Sequence, residues 1–140
     1  MSVFAPNLRR HVAPHEIRSV FNNTGSTISG GLFVKLTTTG DRHVRLPEAV
    51  TDDLYGVTMA DIADQEWGDC QIDGVARCTA GAAIANPGTR LMPTTAGKVI
   101  AWTAAGGSNA ALAGSNITTA TADNDPIEVQ LAGPGVSRQG

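Results

Sequence analysis

The residues of this 140-residue chain that could do chemistry are few, and their spacing argues against most chemistries. Cys70 and Cys78 are the only cysteines, and no Cys-x-x-Cys accompanies them, so they cannot build a structural zinc site alone. On one continuous strand they would stand about 26 Å apart at ~3.3 Å per residue. That is far beyond the ~7 Å Cα separation a disulfide bridges. Only a reversal at Asp73-Gly74 would bring them together, and two buried small apolar residues are the expectation. His11 and His15 have the i, i+4 spacing of a zinc helix, but Val12 follows His11 where the motif needs Glu, and Pro14 interrupts the helix. The carboxylate pairs Asp52-Asp53 and Asp61/Asp64 sit in turn-like, solvated surroundings, whereas acid–base work needs a buried, upward-shifted partner. No Gly-x-Ser-x-Gly elbow is present. Ala96-Gly97-Lys98 is followed by Val99 and lacks the upstream glycine of a phosphate loop. Asn22-Asn23-Thr24 and Asn116-Ile117-Thr118 match the glycosylation sequon but read as turns. Trp67 and Trp102 have the chemistry to stack a sugar; burial in a β core is the preferred reading for both, and packing for Tyr55. No cofactor or metal is expected, and no enzyme.

The elements that must position these residues are short strands. Leu32 to Leu36, His43 to Leu46 and Tyr55 to Met59 alternate or run apolar between turn signals. Gly68 to Thr79 keeps Cys70, Ile72, Ala76 and Cys78 on one parity and Gln71, Asp73 and Arg77 on the other. Its Asp73-Gly74 is either a hairpin turn or a bulge in one long strand. Thr89–Met92 and Lys98–Trp102 read as a hairpin. Ala104 to Gly114 reads as a small-residue loop, and Ile117–Ala122 and Ile127–Leu131 as the last strands. Seven to nine short strands, with no helix longer than about two turns, predict a β-sandwich or β-barrel. Residues 1–20 lack either period, carry Pro6 and Pro14, and read as an extended N-terminal arm. Residues 21–132 form the body, and 133–140 a flexible tail.

Charge patterning adds a functional hint. Ten Lys and Arg face thirteen Asp and Glu, so bulk charge argues against a nucleic-acid binder. No apolar run approaches the roughly 20 residues of a transmembrane helix, and no secretory signal is read at the N-terminus. Eight acids and no base lie between Glu48 and Asp73, whereas Arg9, Arg10 and Arg18 stand against Glu16 alone in the first eighteen residues, with His11 and His15 beside them. A basic arm and an acidic body can attract each other between subunits. A chain so poor in charge is weakly protected against association, which fits a surface made to sit against other chains.

Several runs carry a resemblance. Thr27-Ile28-Ser29-Gly30-Gly31-Leu32-Phe33-Val34, Tyr55-Gly56-Val57 and Gly68-Asp69-Cys70-Gln71-Ile72-Asp73-Gly74-Val75-Ala76 are three of them. Ala80-Gly81-Ala82-Ala83-Ile84, Pro87-Gly88-Thr89-Arg90-Leu91, Ala96-Gly97-Lys98-Val99 and Asp125-Pro126-Ile127-Glu128-Val129-Gln130-Leu131 follow. Over roughly three-quarters of its length the chain resembles the small head decoration, or capsid cement, proteins of tailed phages. The resemblance implies an all-β fold, a compact β-barrel-like or β-tulip-like body, often a homotrimer, without catalytic residues. It implies the outer surface of the virion capsid as location and the major capsid protein as partner, with no specific nucleic acid and no membrane. The arm departs from the shortest members of that family. Phe4, Leu8, Arg9, Arg10, His11, Val12 and Arg18 are its candidate contacts with shell or subunit, through β-augmentation, groove packing or ion pairs. Competing readings are another virion structural subunit such as a tail protein, a carbohydrate-binding adhesion module using Trp67 or Trp102, and a small trimeric nucleotide-hydrolysing enzyme. The last lacks the phosphate and metal residues it would need.

Overall fold

A computed structural model describes residues 16–103, 109–133 and 137–139. Among them the chain is all strand, turn and loop, in twelve short strands. A first unit, a closed five-stranded barrel, has the order β1 (Ile17–Asn22), β3 (His43–Arg45), β2 (Phe33–Leu36), β4 (Gly56–Thr58), β5 (Trp67–Gln71), and β5 pairs back onto β1. The second is a five-stranded sheet, β6 (Val75–Thr79), β11 (Pro126–Leu131), β10 (Gly114–Asn116), β7 (Arg90–Pro93), β8 (Val99–Ala101). A parallel bridge from Ala80, just after β6, to Val99 on β8 draws the two outer strands of this sheet towards each other. β9 (Asn109–Ala111) and β12 (Ser137–Gln139) form a two-stranded ribbon. The barrel-like all-β fold is therefore as the sequence predicts.

Strand alternation sorts the side chains. Inside the barrel, Val20, Val34, Val44, Cys70 and Ile72 pack with Ile28 and Ile62 from the flanking loops. Phe33 and Val57 have the opposite parity on β2 and β4. They pack outside the barrel, with Leu54, into the core of the second sheet. That core is built from Leu91, Val99, Ile127, Val129 and Leu131 and from small residues, Ala76, Ala80, Ala111, Ala113 and Ala120. Small side chains let the layers approach while keeping the interior dense.

Four expectations are corrected. β1 begins at Ile17, inside the span read as arm, and runs antiparallel to β5 from Ile17↔Gln71 to Phe21↔Trp67. Only Val20 is a buried apolar residue on this strand; of the residues sharing its parity, Arg18 is exposed and Asn22 is polar, so periodicity carried almost no signal. The terminal segment read as a tail holds β12, which pairs with β9 through Ser137↔Ala111, Arg138↔Ala110 and Gln139↔Asn109. It is polar and joins by its backbone, and β9 itself lies in the stretch read as a small-residue loop. The strand expected over 117–122 is instead Gly114–Asn116, held between β11 and β7. Of 117–122 only Ala120 bridges, to Ile84. Finally, Gly74 is neither a hairpin turn nor a bulge. β5 belongs to the barrel and β6 to the second sheet, and Gly74, at φ +79°, is the bend where the chain crosses between them.

Candidate interaction surface

The sequence-level chemistry resolves first. Cys70 and Cys78 are buried free thiols, and burial pushes the pKa of each up to about 12, so neither is a ready nucleophile or ligand. The acids near the turns staple loops. Asp61 Oδ1 accepts from the Gly30 amide and Asp64 Oδ1 from the Gly25 amide, each at 2.8 Å. Asp52 Oδ2 accepts from the amides of Glu48 (2.7 Å) and Ala49 (3.0 Å) and lies 3.2 Å from Lys35 Nζ. Asp125 Oδ2 accepts from the Thr121 hydroxyl and the Thr121 and Ala122 amides, which hold its carboxyl below the usual carboxylate range. Among the described residues no three His, Cys, Asp or Glu side chains gather as a metal site would need.

Both sequon asparagines are interior plugs. Asn22, fully buried, donates Nδ2 to the carbonyls of Ser26 (2.7 Å) and Ile62 (2.8 Å) and accepts on Oδ1 from the Thr24 amide and hydroxyl. Asn116 donates to the carbonyls of Asn86 and Thr118 and accepts from the Thr89 amide. Their amides are spent on the loops that close each unit, and each asparagine is the last residue of a strand, β1 or β10, with the turn beginning after it.

What the surface offers instead is an aromatic row. β1 lies between β3 and β5. Its parallel pairing with β3 sets Phe21 opposite His43, and its antiparallel pairing with β5 sets Phe21 opposite Trp67. All three have the outward parity of strands whose inward residues are Val20, Val44 and Cys70. The Phe21 ring stands 4.8 Å from His43 and 5.2 Å from Trp67, centroid to centroid, both tilted. Trp67 is 58% exposed, the most exposed of the large apolar side chains among the described residues. This corrects the expectation that it fills a core. Trp102 is half-buried, and Tyr55 packs against the barrel interior as expected. The outward aim of Trp67 was legible: it shares the parity of Asp69, Gln71 and Asp73. Phe21 and His43 were not, because their proximity depends on strand order around the barrel.

Electrostatics give the row a sign. Glu66 and Asp69, both exposed, flank Trp67 in the chain, and Asp69 pairs in register with Ser19 on β1. Glu48 and Asp52 are neutralised by Lys35 and Arg45, whereas Asp61, Asp64, Glu66 and Asp69 have no ion-pair partner among the described residues. Of the arm residues singled out, Phe4, Leu8, Arg9, Arg10, His11 and Val12 lie outside the described residues. Arg18 lies on β1 opposite Cys70, and its guanidinium pairs with the Glu16 carboxylate.

No protein-family model and no curated protein sequence matches the chain. Among solved structures, the fold is similar to the N base of the head fiber gp8.5 of bacteriophage phi29. The TM-score is 0.60 at 12% sequence identity, over 85% of this chain and 95% of that one. The likeness establishes a shared fold and spans nearly the whole of both chains.

Proposed function

We propose that this chain is a non-enzymatic head-associated virion protein of the decoration type. It binds the outside of a mature icosahedral phage head and stabilises the shell against the pressure of packaged DNA. The observation that carries this reading is the fold shared with a phage head-fiber base at near-complete mutual coverage. It joins the independent resemblance of the Gly-and-hydrophobic runs to decoration proteins. Fold alone does not fix function, so support also comes from the surface. Its exposed apolar residues, Ile17, Leu36, Met59, Trp67, Val75 and Ile117, stand on a weakly charged body suited to burial against flat neighbours.

The mechanism is linkage. A ligand that binds only the expanded lattice stabilises it by RT ln(1 + [L]/Kd) per site, about 2.7 kcal/mol at a hundredfold excess over Kd. Contacts to two capsomers at once add avidity. Because the barrel is closed and has no free strand edge, β-augmentation by the arm cannot occur there, and side-chain docking is the route it leaves. The test is cosedimentation of the purified protein with expanded and with unexpanded heads. Saturable binding to expanded heads alone is expected, and equal binding to both would defeat the maturation-specific mechanism.

The exposure of Trp67 favours a second reading, a carbohydrate-binding adhesion module. It predicts that soluble cell-surface polysaccharide shifts Trp67 emission, with no requirement for heads.

A further inference from the structure

The aromatic row has a complement within the same chain. Residues 1–15 contain Arg9, Arg10, His11 and His15, the apolar Phe4, Leu8 and Val12, and not one acid. The row contains a 58% exposed Trp67 backed by Phe21 and His43 and bordered by Glu66 and Asp69, which lack ion-pair partners among the described residues. A guanidinium is the group such a surface selects, because it lies flat on an indole face while its N–H groups reach carboxylates at the edge. We propose that the row is the receptor for the Arg9-Arg10 segment of a second copy of this chain. This rests on the decoration reading for its biological purpose but not for its chemistry.

Direction argues for a second copy over the same one. Glu16 leaves the barrel at the Ile17↔Gln71 end of the β1–β5 pair, whereas the row lies at the Phe21↔Trp67 end. Four residues of strand separate the two levels, about 13 Å. To reach its own row a chain would have to reverse immediately before Glu16. The seven residues from Arg9 to Glu16 span at most ~25 Å when extended, the distance within which a neighbour's row must lie. The closed barrel leaves no strand edge beside the row, so recognition at the row falls to side chains.

The experiment uses the full chain carrying Trp102→Phe, so that Trp67 is the sole indole, and reads sedimentation velocity together with Trp67 emission. The parent is expected to self-associate. Arg9→Glu/Arg10→Glu on the arm, or Glu66→Arg/Asp69→Arg on the body, should each weaken association at least tenfold and red-shift Trp67. Combining the two reversals in one chain should restore association to within about threefold. Glu66 and Asp69 are exposed, and circular dichroism checks that each variant is folded. Association unchanged by either reversal would overturn the proposal. So would failure of the combined variant to recover, or a Trp67 shift that follows Arg9 and Arg10 in a monomer. Head cosedimentation of the same variants is read separately. Heads that still bind a reversal-insensitive protein would sink this proposal while leaving decoration intact.

Discussion

Asn22 and Asn116 carry the polar interior at the residue scale. Each amide meets three or four partners, and every buried side-chain nitrogen and oxygen among the described residues is satisfied. Asn22→Ala leaves the Thr24 amide without its partner, strips the Ile62 carbonyl of one of its two donors (the Ile28 amide remains), and should destabilise the chain by about 2–3 kcal/mol. A urea midpoint shift of that size checks it, and a neutral result would mean the Thr24–Ser26 loop closes without the plug. The thiols give a pH signature. An unfolded thiol ionises near ~8.5, while the fold holds Cys70 and Cys78 protonated to about 12. Their contribution is therefore full below the unfolded value and is lost as pH rises from there towards the folded value. The slope is about 1.4 kcal/mol per pH unit per thiol. Unfolding free energies between pH 8 and 10 should fall for the parent and flatten in a Cys70→Ala/Cys78→Ala variant, whatever its absolute stability. Thiol reagents should label neither cysteine until the chain unfolds.

Elements differ in how tightly they depend on glycine. Gly114 on β10 has φ +146°, and a Cβ there would lie 2.0 Å from the Gln130 carbonyl oxygen of β11. Gly88 also has a positive φ, +76°, but faces open space. Gly114→Ala should therefore lose about 3 kcal/mol or more, through both overpacking and strain, whereas Gly88→Ala should lose about 1 kcal/mol. Equal losses would mean that β10 shifts freely against β11. The same contrast explains what could be read from the residues. β2, β4 and the β7–β8 hairpin announce themselves through apolar runs between turns, and those strands fall where expected. β10 and β12 are glycine, serine, asparagine, arginine and glutamine, and half of β1 is arginine, serine and asparagine. They are strands because neighbours supply the hydrogen bonds, a tertiary cause that no local pattern carries. The site divides likewise. Trp67 and Asp69 follow from parity and Glu66 from adjacency, but the row exists only because β1 is inserted between β3 and β5.

For the molecule as a whole, two packed β units present mostly weakly charged surface, and charge is concentrated in opposite senses on the arm and on the Glu48–Asp73 span. Removing residues 2–15, which stops short of β1, should leave the body's unfolding transition in place while reducing self-association and head occupancy. Removing residues 2–20 would instead take Ile17–Val20 out of the barrel and should unfold it. Circular dichroism melts of the two truncations separate these outcomes, and two identical melts would contradict the placement of β1. The central claim is that binding this protein strengthens a mature head. Its most direct measurement is the temperature at which DNA escapes from heads stripped of the protein and heads to which it has been added back. The account predicts a higher release temperature that climbs with free protein concentration until the sites fill. A release temperature independent of added protein, with occupancy verified on the same heads, would contradict it.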